Sequence, residues 1–111
     1  MALAEPLSSV SWLQDWYSRQ CDGEWEHSKG IKIDTLDNPG WKVEIDLSKY
    51  GAIKNAVIRD ERNSDQWLFC EVKEALFEGF GAPNCLSAIL DAFRAFVTEI
   101  EGVPGTVPNG S

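Results

Sequence analysis

The stretch from Ile31 to Leu47, IKIDTLDNPGWKVEIDL, decides the fold. Ile31 to Leu36 and Trp41 to Leu47 both alternate with period two, as half-buried β-strands do. Between the two runs, Asn38-Pro39-Gly40-Trp41 suits a type II turn, because proline sets φ at its second position and glycine accepts the positive φ at its third. The stretch therefore predicts an antiparallel hairpin, with a loop slightly longer than the tightest type.

Three more strands are predicted after this hairpin, over about Asn55 to Asp60, Gln66 to Lys73 and about Ala75 to Phe80, with a charged turn from Arg59 to Asp65. The strand from Gln66 to Lys73 is apolar on both faces, since Trp67 and Phe69 alternate with other apolar residues. An apolar pair on an otherwise polar sheet face is a candidate partner surface. The alternative is that the first helix or a loop covers Trp67 and Phe69.

A helix is predicted on each side of the strands. Ser8 or Ser9 can cap a helix that runs to about Cys21, and Asn84 can cap a helix that runs to about Glu101. Both helices have one apolar half and one polar half. The predicted fold is α+β, a meander of about five antiparallel strands with the N-terminal and C-terminal helices packed on one face.

With 111 residues, the chain is expected to form a single domain over residues 8–101. Residues 1–7 are predicted to be a flexible N-terminus without the features of a signal peptide. Residues 102–111, rich in Gly, Pro, Ser and Thr, are predicted to be a disordered tail.

The chain carries 18 acidic against 10 basic residues, a net charge of −8. Such a charge repels nucleic acid and anionic membranes and favours a basic partner, although plain solubility also explains it. No apolar run approaches the length of a membrane span. The three cysteines have no zinc or redox spacing, which indicates a reducing compartment and predicts a cytoplasmic protein.

Two segments concentrate the residues most suited to recognition, Cys21 to His27 (CDGEWEH) and Thr35 to Trp41 (TLDNPGW). Both lie where the chain changes direction, and such loops carry recognition more often than the elements they join. Carboxylates would face cations of a partner, and a partly exposed tryptophan would anchor the interface. The predicted partner-binding residues are Asp22, Glu24, Trp25, Glu26, His27, Asp37, Asn38 and Trp41.

Other interpretations of these segments stay open. The fold alone could require them, with Trp25 pinning a linker to the core and Asp37 and Asn38 forming a turn. A small enzyme or ligand-binding domain could use a carboxylate and histidine pocket formed by the loops 24–27 and 37–41. No nucleophile, phosphate-loop or cofactor motif accompanies them, so neither catalysis nor a cofactor is predicted. One histidine and these carboxylates are too few for a zinc or calcium site, so no metal is predicted.

These segments also carry a family resemblance. CDGEWEH at 21–27, Gly30-Ile31 and TLDNPGW at 35–41 resemble the immunity protein 53 family of bacterial polymorphic toxin systems, and Phe77 to Gly81 fits the same pattern. The resemblance covers roughly residues 10–97 and implies a small cytoplasmic protein that binds a cognate toxin and blocks it. With the residues above, it predicts a stoichiometric inhibitor of a basic protein toxin. The inhibitor would be a monomer or a weak homodimer, with Trp67 and Phe69 as a secondary partner surface. A further alternative is a regulatory module that dimerises through Trp67 and Phe69.

Overall fold

A computed structural model of the chain describes residues 8–51, 53–63 and 65–102. The predicted flexible segment 1–7 and residues 103–111 of the predicted tail lie outside the described residues. In chain order the elements are α1 (Ser9–Gln20), α2 (Trp25–Ser28), β1 (Ile31–Leu36), β2 (Gly40–Asp46), a 3₁₀ turn (Ser48–Tyr50), β3 (Ala56–Asn63), β4 (Gln66–Lys73), β5 (Leu76–Gly81) and α3 (Leu86–Ile100).

The five strands form one antiparallel sheet in the order β1-β2-β5-β4-β3, and the predicted α+β fold is confirmed. The sheet consists of the β1–β2 hairpin and a three-strand meander, β3–β4–β5. The connection after β2 crosses to the far edge of the sheet before β3 begins, so that β2 and β5 become neighbours at its centre. Leu36 pairs with Gly40, so the turn consists of residues 37–39. The predicted type II turn over Asn38 to Trp41 is wrong, because Gly40 is the first residue of β2 and does not have the positive φ that this turn requires.

Both long helices lie on one face of this sheet. Trp16 of α1 and Phe77 of β5 both pack against Phe93 of α3, each with ring centroids 5.0 Å apart. All three side chains are buried. The centre of the sheet contributes buried Val43, Ile45, Cys70 and Val72 to the same core. Burial of this apolar surface is the main force that holds the two layers together.

Side chains of alternate residues point to the opposite face, called here the outer face. It carries Lys42 and Glu44 of β2, Glu78 and Phe80 of β5, and Trp67, Phe69 and Glu71 of β4, together with Arg59 of β3. Among the described residues, both long helices pack against the other side. The outer face is therefore the side of the sheet that these helices leave uncovered.

The sequence predicted the N-cap of α1 correctly and that of α3 incorrectly. The Ser8 hydroxyl accepts a hydrogen bond from the Ser11 N–H at 3.1 Å and caps α1. The prediction that Asn84 caps α3 is wrong, because Cys85 occupies the N-cap position and makes no side-chain cap bond. Instead the Cys85 N–H donates to the Ala82 carbonyl at 2.9 Å, a tight turn that moves the helix start past Asn84.

The third strand is longer than predicted. β3 runs to Asn63, past the predicted end at about Asp60, so that Arg59, Asp60 and Glu61, the first residues of the predicted charged turn, all lie in the strand. In the sheet these three residues pair with Phe69, Leu68 and Trp67 of β4. β3 is an edge strand, where charged side chains reach water and also discourage association through the free edge.

Candidate functional site

Residues 21–28, called here the motif loop, close on themselves through carboxylate-to-backbone hydrogen bonds. Asp22 Oδ1 accepts from the backbone N–H groups of Glu24 and Trp25 at 2.9 and 3.0 Å. In return, the Glu26 carboxylate accepts from the N–H groups of Asp22 and Gly23 at 2.9 and 2.7 Å. This reciprocal pattern resembles a capping box and starts the single-turn helix α2. Both oxygens of the Glu26 carboxylate are therefore engaged within the motif loop.

Both carboxylates of this arrangement are stabilised in their ionised form. The backbone N–H of Trp25, and then Lys49, hold the pKa of Asp22 well below its usual range. Backbone N–H groups of Glu26 itself, Asp22 and Gly23 lower the pKa of Glu26. A carboxylate that accepts several backbone hydrogen bonds strongly favours its charged form. Asp22 and Glu26 are thus suited to holding the loop and unsuited to donating a proton.

Trp25 is buried, with only 3% of its surface exposed. Its Nε1–H donates to Asp46 Oδ1 at 3.1 Å, and its ring meets that of Trp16 edge-on with centroids 5.7 Å apart. Asp46 also accepts from the N–H and the hydroxyl of Ser48. Trp25 therefore pins the motif loop to the end of β2, and it cannot be the exposed anchor that the sequence suggested.

Lys49 completes the attachment of the motif loop, and the sequence interpretation missed it. Its ammonium donates to the Gln20 carbonyl at the end of α1 and to Asp22 Oδ2, both at 2.9 Å. A cation at a helix C-terminus satisfies carbonyls that have no partner within the helix. The spacing of Asp46 and Ser48 signalled a side-chain turn in this region, but no local pattern pairs Lys49 with Asp22.

Asp22 is exposed but is bound within the loop and to Lys49, which leaves Glu24 and His27 as the exposed predicted contacts whose side chains the loop itself does not use. Both line an open groove of about 540 Å³, together with Lys29 and Lys49. Glu26 lines a different groove of about 350 Å³, between α1 and β1. The enzyme or pocket alternative required Glu24, Glu26 and His27 to converge on one cleft, and this geometry does not bring them together.

The second predicted segment lies at the opposite end of β1. Asp37 and Asn38 are exposed in the hairpin turn, while Trp41 is half-buried and its Nε1–H donates to the Pro83 carbonyl at 2.7 Å. A strand of this length spans roughly 17–20 Å. The eight predicted contact residues therefore form two groups separated by the length of β1.

Trp67 and Phe69 are half-buried on the outer face, so α1 does not cover them. Phe80 joins them, with its ring centroid 6.4 Å from that of Phe69. The guanidinium of Arg59 lies 5.2 Å from the Phe69 ring centroid, and the Lys42 ammonium lies 5.9 Å from that of Phe80. Phe80 was not predicted as part of this surface, because strand alternation alone does not give the register that places Phe80 directly opposite Phe69.

Among residues 8–51, 53–63 and 65–102, no group of three or more His, Cys, Asp or Glu side chains is arranged to hold a metal ion. No helix in these ranges is long and apolar enough to span a membrane.

Comparison with known proteins gives one match. The model of the family described as immunity protein 53 matches residues 10–98, from α1 to the last turn of α3. No curated protein and no solved structure matches the chain. Since the matched region covers most of the chain, the protein belongs to the immunity protein 53 family.

Proposed function

We propose that this member of the immunity protein 53 family binds the toxin domain of a bacterial polymorphic toxin system and neutralises it as a stoichiometric, non-enzymatic inhibitor. The family match over residues 10–98 carries the proposal, because it includes almost the whole described fold. The protein would act in the cytoplasm of the cell that makes the toxin.

The charge of the chain supports a basic toxin as the partner. A net charge of −8 attracts a cationic protein surface and raises the rate of encounter. The same charge disfavours nucleic acid and anionic membranes as partners. Nucleases and other enzymes that hold phosphates have basic surfaces, and they fit this electrostatic pattern.

The motif loop would contribute to binding mainly through Glu24 and His27. Both are exposed, whereas Asp22, Trp25 and Glu26 are engaged in holding the loop. Asp37, Asn38 and Trp41 would contact the same toxin only across an interface that extends along β1. Interfaces of ordinary size bury about 800 Å² on each partner, which is large enough for such a span.

The proposal is tested by co-expressing the protein with the toxin-like reading frame next to its gene. We expect growth to be restored and the two proteins to purify as a one-to-one complex, because a stoichiometric inhibitor must occupy each toxin molecule. Toxicity that persists although the protein is present, folded and in excess would contradict the proposal.

A further inference from the structure

The outer face carries a row of three glutamates on neighbouring strands. Glu78 of β5 lies directly opposite Glu44 of β2 on one side and directly opposite Glu71 of β4 on the other. Side chains in such cross-strand pairs have Cβ atoms about 4.5–5.5 Å apart. Like charges in this position destabilise a sheet, so the row opposes folding.

The environment of Glu78 reflects this repulsion. Burial, followed by the neighbouring Glu44 and then Glu71, raises the pKa of Glu78, while Lys42 acts in the opposite direction. Lys42 Nζ lies 3.3 Å from Glu44 Oε2, and these two groups form an ion pair. Among the described residues, no ion pair is formed by Glu71 or Glu78. Lys32 of β1 lies directly opposite Glu44 as well, so both of these lysines are at the Glu44 end of the row. Glu78 lies opposite only the two other glutamates, and Glu71 lies opposite Glu78 and Val57, so neither has a cation across from it.

The aromatic side chains of the outer face lie beside this row. Phe80 follows Glu78 by two residues on the same strand face, and Phe69 precedes Glu71 by two. Both rings already have a cation of this chain above them, Lys42 and Arg59. Aromatic faces next to carboxylates suit a guanidinium best, because it stacks on rings and donates to carboxylates at the same time.

We propose that the outer face is the surface on which arginine or lysine side chains of the toxin dock, with Glu44, Glu78 and Glu71 as their acceptors. This inference rests on the proposed function and specifies where the toxin binds. Charge complementarity selects the occupant, since a partner's cations would neutralise a row that repels itself in the free protein. The groove beside the motif loop is less suited, because Asp22 there is already paired with Lys49 and Lys29 also lines it, whereas Glu78 and Glu71 form no ion pair among the described residues.

The outer face also connects with the motif loop. A smaller groove of about 150 Å³ contains Ser28 and Lys29 at the end of this loop and reaches Glu44 on the outer face. At the other end of the sheet, Trp67 lies at the level of the β1–β2 turn. Its neighbour Leu68 pairs with Gly81, and Gly81 pairs with Trp41 just after that turn. A toxin bound to the outer face could therefore extend across this smaller groove and also contact Glu24 and His27.

The test compares Glu78→Gln and Glu44→Gln/Glu78→Gln with Glu99→Gln, a matched control on an exposed position of α3 across the sheet. Glutamine keeps the size of the side chain and removes its charge. We expect each outer-face variant to bind the co-expressed toxin at least about tenfold more weakly, with less dependence on salt. Their melting temperatures should equal or exceed that of the wild type, because repulsion is relieved. Glu99→Gln should bind like the wild type.

A second variant, Phe80→Leu, removes the ring and keeps an apolar side chain. It should weaken toxin binding several-fold while the protein stays folded.

The possible outcomes separate this inference from the proposed function. If the wild type and the outer-face variants bind the toxin equally, the toxin docks elsewhere and only this inference is wrong. If the variants lose both stability and binding, the glutamates are structural and the inference is also wrong. If the wild type itself does not bind or protect, the proposed function fails and this inference fails with it.

Discussion

At the scale of single residues, Asp22 shows how an apparent recognition motif can be part of the framework. Its carboxylate accepts from two backbone N–H groups of the motif loop and from Lys49. These contacts join the end of α1, the start of α2 and the 3₁₀ turn after β2. The sequence identified this segment as special, and its acidic residues suggested binding. Side-chain direction, which only the folded loop determines, assigns Asp22 and Glu26 to structure and leaves Glu24 and His27 exposed.

The role of Asp22 predicts a specific dependence of stability on pH. Because its pKa is lower in the folded than in the unfolded chain, Asp22 stabilises the fold above the unfolded pKa of about 3.9. This contribution is lost as the pH falls towards the folded value. Asp22→Asn keeps an acceptor oxygen but no charge, so it should melt at a lower temperature than the wild type at pH 7. The difference should shrink as the pH falls below about 4.

Thermal unfolding between pH 7 and pH 2, followed by circular dichroism, measures this difference. Asp37→Asn serves as the control, because the Asp37 side chain makes no hydrogen bond or ion pair with the described part of the chain. A destabilisation by Asp22→Asn that is the same at every pH would contradict the assigned role.

At the scale of elements, local sequence patterns predicted the individual strands and helices better than the order of the strands in the sheet. The β1–β2 hairpin was predictable because alternation and turn residues lie within one short stretch. The pairing of β2 with β5 was not, because it joins residues that are 30 to 40 positions apart in sequence and depends on the crossing connection. The approach of Glu44 to Glu78 and of Lys42 to Phe80 exists only through this pairing, so the sequence could not reveal it.

The contact between α3 and β5 makes a prediction at the same scale. A Cβ atom at Gly79 would lie 2.5 Å from Ile89 Cγ2 and 3.2 Å from the Phe77 ring. Gly79→Ala should therefore lower the free energy of unfolding by about 1–3 kcal/mol through overpacking. Alanine would otherwise be favoured over glycine within a strand, so steric conflict with the helix is the specific cause.

Urea denaturation of Gly79→Ala, Ile89→Ala and the double variant tests this packing. Ile89→Ala alone should cost about 2–5 kcal/mol, because Ile89 is fully buried. The double variant should lose less than the sum of the two, since the smaller side chain leaves room for the new methyl group. Strict additivity would mean that the helix and the strand are not in the contact described.

At the scale of the whole molecule, a sheet with both long helices on one side has its other side uncovered by them. The helix side contains the core, and the outer face combines half-buried aromatic rings with carboxylates that repel each other. A protein that kept such a surface without a partner would gain stability by changing it. Natural proteins often retain a destabilising arrangement where it serves binding.

The central claim is that the protein neutralises a toxin by occupying it, and an activity titration tests this most directly. Purified toxin domain, at a concentration well above the dissociation constant, is mixed with increasing amounts of the protein. We predict that toxin activity falls in a straight line and reaches zero at one molar equivalent. Complete loss at a small fraction of an equivalent, growing with time, would indicate catalysis, and full activity at a large excess would show that the toxin is not bound.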